Sequence, residues 1–262
     1  CAYVSSPLMV RTYTALVVVL LRPHGATAAR RYEELQRIRH AHDAAYQRWL
    51  PHMTLIPPFQ MQTREPEGAE GQVPDGIRAR LDAMAAAIRP TCQEHASMVL
   101  QLNEVHLFPL RRYRNLHLRP PEACIEPLAA LQKDVSQAMQ PHIPSQEERD
   151  VRRRSRSPQG QSSSPQEERS QRPQRPQRPP RQQDRFVPHA SLGQAYTPED
   201  KEDIIEDATR SLGCVDRTSR DHDSEHAGAE GLQVIVDRIQ LMYKTSQAKG
   251  PYTLWQEFPL TG

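Results

Sequence analysis

Two short segments of this chain share one pattern: Leu50-Pro51-His52-Met53-Thr54-Leu55 and Val187-Pro188-His189-Ala190-Ser191-Leu192. Both run apolar-Pro-His-x-(Ser/Thr)-Leu. Both read as the start of a β-strand, where proline is tolerated and side chains alternate between two faces. In each copy the histidine and the hydroxyl two residues later therefore point the same way. At this chain's own residue frequencies, Pro-His-x-(Ser/Thr) is expected roughly 0.1 times in the whole length, so two copies have a probability of order 0.01. The histidines lie 137 residues apart, or 96 once a 41-residue insertion is set aside. That is the length of one strand-helix module, so the chain is expected to build two related lobes presenting two imidazoles and two hydroxyls to one ligand.

The insertion is residues 145–185, which hold 11 Arg, 9 Gln, 7 Ser, 6 Pro and a single apolar residue, Val151. Such a stretch cannot bury enough surface to offset its chain entropy, so it is expected to be disordered, with polyproline character in Gln171–Pro180. Its 11 Arg against 6 acids give a net charge of +5, whereas the whole chain carries +2, so the remainder is mildly acidic at −3. That balance argues against a broad face for duplex nucleic acid and for local anion binding. The insert interrupts one bilobed domain spanning 1–262.

Around the motifs, Tyr13–Leu21 is β-branched, apolar and closed by Arg22-Pro23, which predicts a strand in the middle of a sheet. Apolar positions Tyr32, Leu35, Ile38, His42, Ala45, Tyr46 and Trp49 predict a helix stopping before Pro51. A short strand from His52 to Ile56 follows, then a polar loop from Gln60 to Val73. A second helix opens at Pro74-Asp75 and ends at Arg89-Pro90. Met98–Phe108 and Asn115–Leu118 predict antiparallel strands around the turn Pro109–Arg114, and a third helix carries Ile125 to Met139. After the insert come a strand from Phe186 to Gly193 and a helix opened by Thr197-Pro198-Glu199-Asp200 and closed by Gly213. Asp216–Gly231 reads as a polar loop, and two final strands, Leu232–Tyr243 and Tyr252–Leu260, close the chain. The fold class is α+β.

Imidazole has an unperturbed pKa near 6.5, which suits it both to deprotonate an attacking water or hydroxyl and to protonate a leaving oxygen. Two such groups, with hydroxyls donating to non-bridging oxygens, can split a phosphodiester. No metal or cofactor is expected. The four cysteines stand singly without metal-ligand spacing and read as free thiols. The segment His222-Asp223-Ser224-Glu225-His226 reads as a solvated loop rather than a metal site. Ala15–Leu21 is too short to span a bilayer.

On these residues the chain resembles the 2H phosphoesterases, also called the 2′-5′ RNA ligase and cyclic phosphodiesterase superfamily. The resemblance covers both lobes but not the insert. It rests on the paired His-x-(Ser/Thr) motifs, on Pro58-Phe59, on Phe186 and Gly193 around the second motif, and on the terminal Phe258-Pro259-Leu260. It implies a bilobed pseudo-two-fold fold in which two antiparallel sheets face a central cleft with helices outside. It also implies metal-independent action on 2′,3′-cyclic phosphate or 2′-5′-linked ends of RNA or nucleotides. By motif match, His52 and His189 are the catalytic residues, and Thr54 and Ser191 hold the phosphate. Tyr252, in the final hairpin that borders the cleft in similar proteins, and Phe59 are candidates to stack on a nucleobase. The expected protein is a monomer, not attached to a membrane, in cytoplasm or nucleus. A different class remains open: a non-catalytic RNA-binding adaptor whose contacts come from the Arg-rich insert.

Overall fold

The computed structural model describes residues 10–64, 72–144, 186–218, 230–245, 248 and 250–262. The segment 145–185, expected to be disordered, lies outside them, as does His222–His226. Residues 144–187 form a unit of their own, of which only Pro144, Phe186 and Val187 are described. The architecture below is that of the other unit, 1–143 with 188–262.

In chain order the elements are β1 (Arg11–Leu20), β2 (Arg22–Pro23), α1 (Ala26–His42), β3 (His52–Thr63), α2 (Asp75–Gln93), β4 (Met98–Leu102), β5 (Glu104–Pro109) and β6 (Arg114–Arg119). They continue with α3 (Glu126–Met139), β7 (Ala190–Ala195), α4 (Pro198–Leu212), β8 (Val215–Asp216), β9 (Leu232–Val236), β10 (Arg238–Thr245) and β11 (Thr253–Pro259). Eight strands form one sheet in the order β11-β10-β1-β3-β7-β6-β5-β8, and β2-β9-β4 form a second. Only the β5–β8 pairing is parallel among the described strands. As the apolar run predicts, β1 is central, with Ala15 to Val19 essentially buried.

The eight-stranded sheet has two halves, β11-β10-β1-β3 and β7-β6-β5-β8, antiparallel except at the β5–β8 edge, which join through Met53 opposite Ala190. Helices α2 and α3 pack on the first half through β3 and β11, and α1 and α4 pack on the second through β7. The halves interleave along the chain. Strands β5 and β6 precede the insert yet belong with the second motif, while β10 and β11 close the chain yet belong with the first.

Several boundaries differ from the sequence-based expectation, each for a local reason. Strand β3 runs on to Thr63, through Pro57 and Pro58, because a bulge against β1 accommodates the prolines: the register moves from Ala15 opposite Phe59 to Val17 opposite Ile56. At the bulge neither proline has to supply a ladder hydrogen bond. Helix α1 stops at His42, well short of Pro51, because Asp43 turns extended (φ −106°, ψ 105°) to pair with Arg39. Helix α2 continues past Pro90 into a last turn that buries Cys92.

The segment 98–108 divides at Asn103, and 232–243 divides at Asp237, so each run feeds both sheets. Asp237 sits at its break tied to Arg22 and Arg238. Strand β7 begins at Ala190, later than expected, and His189 lies immediately before it. Helix α4 has the predicted ends. Thr197 Oγ1 accepts from the Asp200 amide, the Asp200 carboxylate accepts from the Thr197 amide, and Gly213 closes the helix at φ 68°.

Candidate active site

Met53 and Ala190 are both completely buried. Because strand side chains alternate, the residues flanking them turn to the opposite face. The pattern holds in both motifs: Met53, Leu55, Ala190 and Leu192 are buried, whereas His52, Thr54, His189 and Ser191 are half-buried on the other side. In antiparallel register, Met53 opposite Ala190 sets His52 across from Ser191 and Thr54 across from His189. The four residues singled out by the motif thus surround one residue pair at the junction of the two half-sheets.

His52 is oriented by its own turn. Its Nδ1 lies 2.9 Å from the Leu50 carbonyl oxygen, which can only accept, so Nδ1 carries the proton and Nε2 presents a lone pair. Burial pushes the His52 pKa below its usual value. The Leu50 contact opposes that shift, while the charges of Arg39 and His189 add to it. Near neutral pH, His52 is a neutral imidazole with an available acceptor.

His189 stands in an aromatic corner that the sequence did not reveal. Phe108 on β5 meets its ring edge-on at 5.0 Å between centroids, and His117 on β6 does so at 5.1 Å. His117 is fully buried, stacked on Phe108 at 4.0 Å, and opposite Ser191 in the ladder. Burial, with the charge of His189 second, lowers its pKa to about 3, so it stays neutral. Its Nδ1 lies 3.2 Å from the Asn115 carbonyl oxygen. Among the described residues, Asn115 Oδ1, His117 Nε2 and Arg119 Nε are buried without a hydrogen-bond partner. All three belong to alternate residues of β6, hence to the face carrying His189 and Ser191. A signal for this was present in Asn115-Leu116-His117-Leu118-Arg119, where polar and apolar residues alternate. Its pairing with β7 was not.

A buried ion pair holds both motifs in place. Arg39 donates to Asp43 at 2.9 and 3.1 Å and to the Trp49 carbonyl at 2.9 Å, which fixes the turn leading into His52. The other oxygen of Asp43 accepts from the Gln194 side chain on β7 at 3.1 Å and from the Ala45 amide at 2.8 Å. The C-terminal end of α1 lies so close to β7 that a Cβ at Gly193 would come within 2.6 Å of His42 Cβ and 2.8 Å of its carbonyl oxygen. Gly193 is therefore required by this close approach.

Tyr252 borders the first motif through Trp49, which the sequence placed on a helix face. The Trp49 ring lies 4.5 Å from His52 and is stacked on Tyr252 at 4.2 Å, and Lys244 Nζ sits 4.6 Å from the Tyr252 centroid. Phe59 is not brought to the site. It is 4 % exposed in β3, opposite Ala15, beyond the proline bulge that shifts the register, and its place is in the core.

No group of three or more His, Cys, Asp or Glu side chains is placed to hold a metal ion among the described residues. No described helix is long and apolar enough to cross a membrane. Cys92, Cys124 and Cys214 are free thiols.

The sequence model of the 2′-5′ RNA ligase superfamily matches residues 25–247. No curated protein matches the chain. Among solved structures, Escherichia coli LigT complexed with NADP+ is similar at 16 % identity and a TM-score of 0.44, over 95 % of this chain and 97 % of that one. E. coli LigT complexed with 3′-AMP is similar at 14 % identity and a TM-score of 0.40, over 96 % and 99 % of the two chains. Kluyveromyces marxianus Usb1 is similar at 11 % identity and a TM-score of 0.43, over 94 % and 98 %.

Proposed function

This chain belongs to the 2′-5′ RNA ligase superfamily, and from that premise we propose that it is a phosphoesterase acting on 2′,3′-cyclic phosphate or 2′-5′ phosphodiester ends of RNA or nucleotides by two-histidine acid/base catalysis. The observation that carries this reading is the pairing of Met53 with Ala190, which gathers His52, Thr54, His189 and Ser191 on one face.

His52 is the base. Its Nδ1 proton is committed to Leu50, so the Nε2 lone pair takes a proton from the attacking water. The water oxygen bonds to phosphorus as the bond to the ribose oxygen breaks, and His189 gives the departing oxygen its proton. Hydroxyl donors from Thr54 and Ser191 meet the non-bridging oxygens, where negative charge builds up. Both motif strands have buried alternate residues, so these four groups sit on backbone that cannot shift without opening the core. No step requires a metal ion.

Incubating the full chain with 2′,3′-cyclic mononucleotides and a 2′-5′-linked dinucleotide in the presence of a chelator tests the proposal. The expected result is opening of the ring to a single phosphomonoester isomer, or cleavage of the 2′-5′ bond, at a rate the chelator leaves alone. RNA binding without turnover of any of these substrates would instead favour the adaptor.

A further inference from the structure

The turn between β5 and β6 carries charge that the fold does not use. Leu110 donates its amide to the Tyr113 carbonyl at 3.0 Å, closing a tight hairpin whose two tip residues are Arg111 and Arg112, with Arg114 the first residue of β6. Hairpin tips favour Gly, Asn and Asp, so turn geometry does not call for arginine here. All three arginines are exposed, and no carboxylate pairs with any of them among the described residues. On the segment that follows β7, the Asp200 carboxylate at the start of α4 is already occupied by the Tyr196 and Thr197 amides.

Aromatic surface accompanies the charge. Tyr113 contacts Tyr196 at 5.7 Å between ring centroids, and Tyr196 is 63 % exposed. The hairpin is also continuous with the candidate site. Phe108, whose ring meets His189, is three residues from Arg111, so the tip lies within roughly 10 Å of Phe108. A groove tracking the backbone with cations, together with exposed rings on which bases stack, is what single-stranded nucleic acid binding requires.

We infer that the β5–β6 hairpin, through Arg111, Arg112 and Arg114 with Tyr196, binds the single-stranded RNA adjoining the reacting end, so that the preferred substrate is an oligonucleotide end and not a free cyclic nucleotide. The inference rests on the proposed phosphoesterase reading for what lies at the reacting end. It adds the surface that selects the length of the substrate.

The test replaces Arg111 and Arg112 together by serine in the full chain, where any contribution from 145–185 is common to both proteins. Binding is measured with a short single-stranded oligoribonucleotide bearing a 3′-phosphate, which does not react. The double variant is expected to bind about tenfold more weakly, with a salt slope shallower by about 1.4 on the log-log scale, corresponding to two phosphate contacts on a single strand. Lysine at both positions should recover most of the binding.

In turnover, the ratio of kcat/KM for an oligonucleotide with a 2′,3′-cyclic end to that for a cyclic mononucleotide should fall about tenfold, as lost phosphate contacts imply. Unchanged RNA affinity and salt slope, or an equal loss on both substrates, would overturn the inference. Absence of turnover by the unaltered protein on either substrate would overturn the phosphoesterase reading alone, because the binding measurement still decides the role of the hairpin.

Discussion

Met53 on β3 stands opposite Ala190 on β7, both without solvent exposure, at the point where the two four-stranded half-sheets become one. Each residue is the spacer between the histidine and the hydroxyl of its motif. Enlarging Ala190 to leucine should therefore force the two motif strands apart. Such overpacking is expected to destabilise the protein by about 1–3 kcal/mol in denaturant titrations. It should also lower kcat on a cyclic nucleotide more than it raises KM. Normal stability and normal kcat would show that this contact does not set the spacing of the site.

The pH dependence follows from the direction of the His52 shift. As a base, His52 must be unprotonated, so activity should rise with pH through its pKa, and burial places that inflection below the ordinary 6.5. Activity should fall again at higher pH as the acid loses its proton. A profile of kcat/KM against pH, combined with ring-proton titration of His52, checks the order. An acidic limb centred above 6.5 would contradict the role given to His52.

His117 couples acidity to stability. Its folded pKa of about 3 is below the unfolded value near 6.5, so the unfolded chain binds the additional proton between those two pH values. Its contribution is complete above pH 6.5 and is lost progressively as pH falls toward 3, at a cost of several kcal/mol. His117→Phe keeps the ring beside Phe108 and His189 and removes the titrating group. The unfolding free energy of this variant should change less than that of the parent between pH 6.5 and 3. An identical pH dependence would show that His117 is protonated at ordinary values in the folded protein.

The Arg39–Asp43 pair reaches both motifs, through the Trp49 carbonyl and the Gln194 side chain. Asp43→Ala leaves a buried guanidinium uncompensated and should cost about 3–5 kcal/mol of stability. Gly193→Ala, which brings a Cβ into the backbone of His42, should cost about 1–3 kcal/mol. Thermal and denaturant unfolding measure both. Wild-type stability in either variant would mean that the junction of α1 with β7 is loose.

The sequence made the motif strands, helices α2 to α4 and the central position of β1 legible, because hydrophobic period and capping residues are local properties. Thr197 to Asp200 and Gly213 set the ends of α4 almost without reference to the rest of the chain. The interleaving of the halves was not legible. Nothing in Glu104–Arg119 indicates that its strands will lie beside residues 190–195 across an insertion of 41 residues.

For the same reason nothing along the chain marks His117, whose meaning comes from Ser191 on the neighbouring strand and from His189 just before it. The spacing of Trp49 predicts a helix, a period that α1 breaks at Asp43, where Arg39 donates to the Asp43 carboxylate and to the Trp49 carbonyl. Phe59 matched a motif neighbourhood, but a bulge at two prolines intervenes between it and the site.

The most direct test compares His52→Ala and His189→Ala with the parent protein, acting on a 2′,3′-cyclic mononucleotide with chelator present. Two-histidine catalysis predicts chelator-insensitive turnover by the parent and a fall of about 10²–10⁴-fold in kcat for each variant, with unfolding curves like the parent's. Turnover that survives the loss of either imidazole, or that disappears on chelation and returns with a divalent ion, would contradict it.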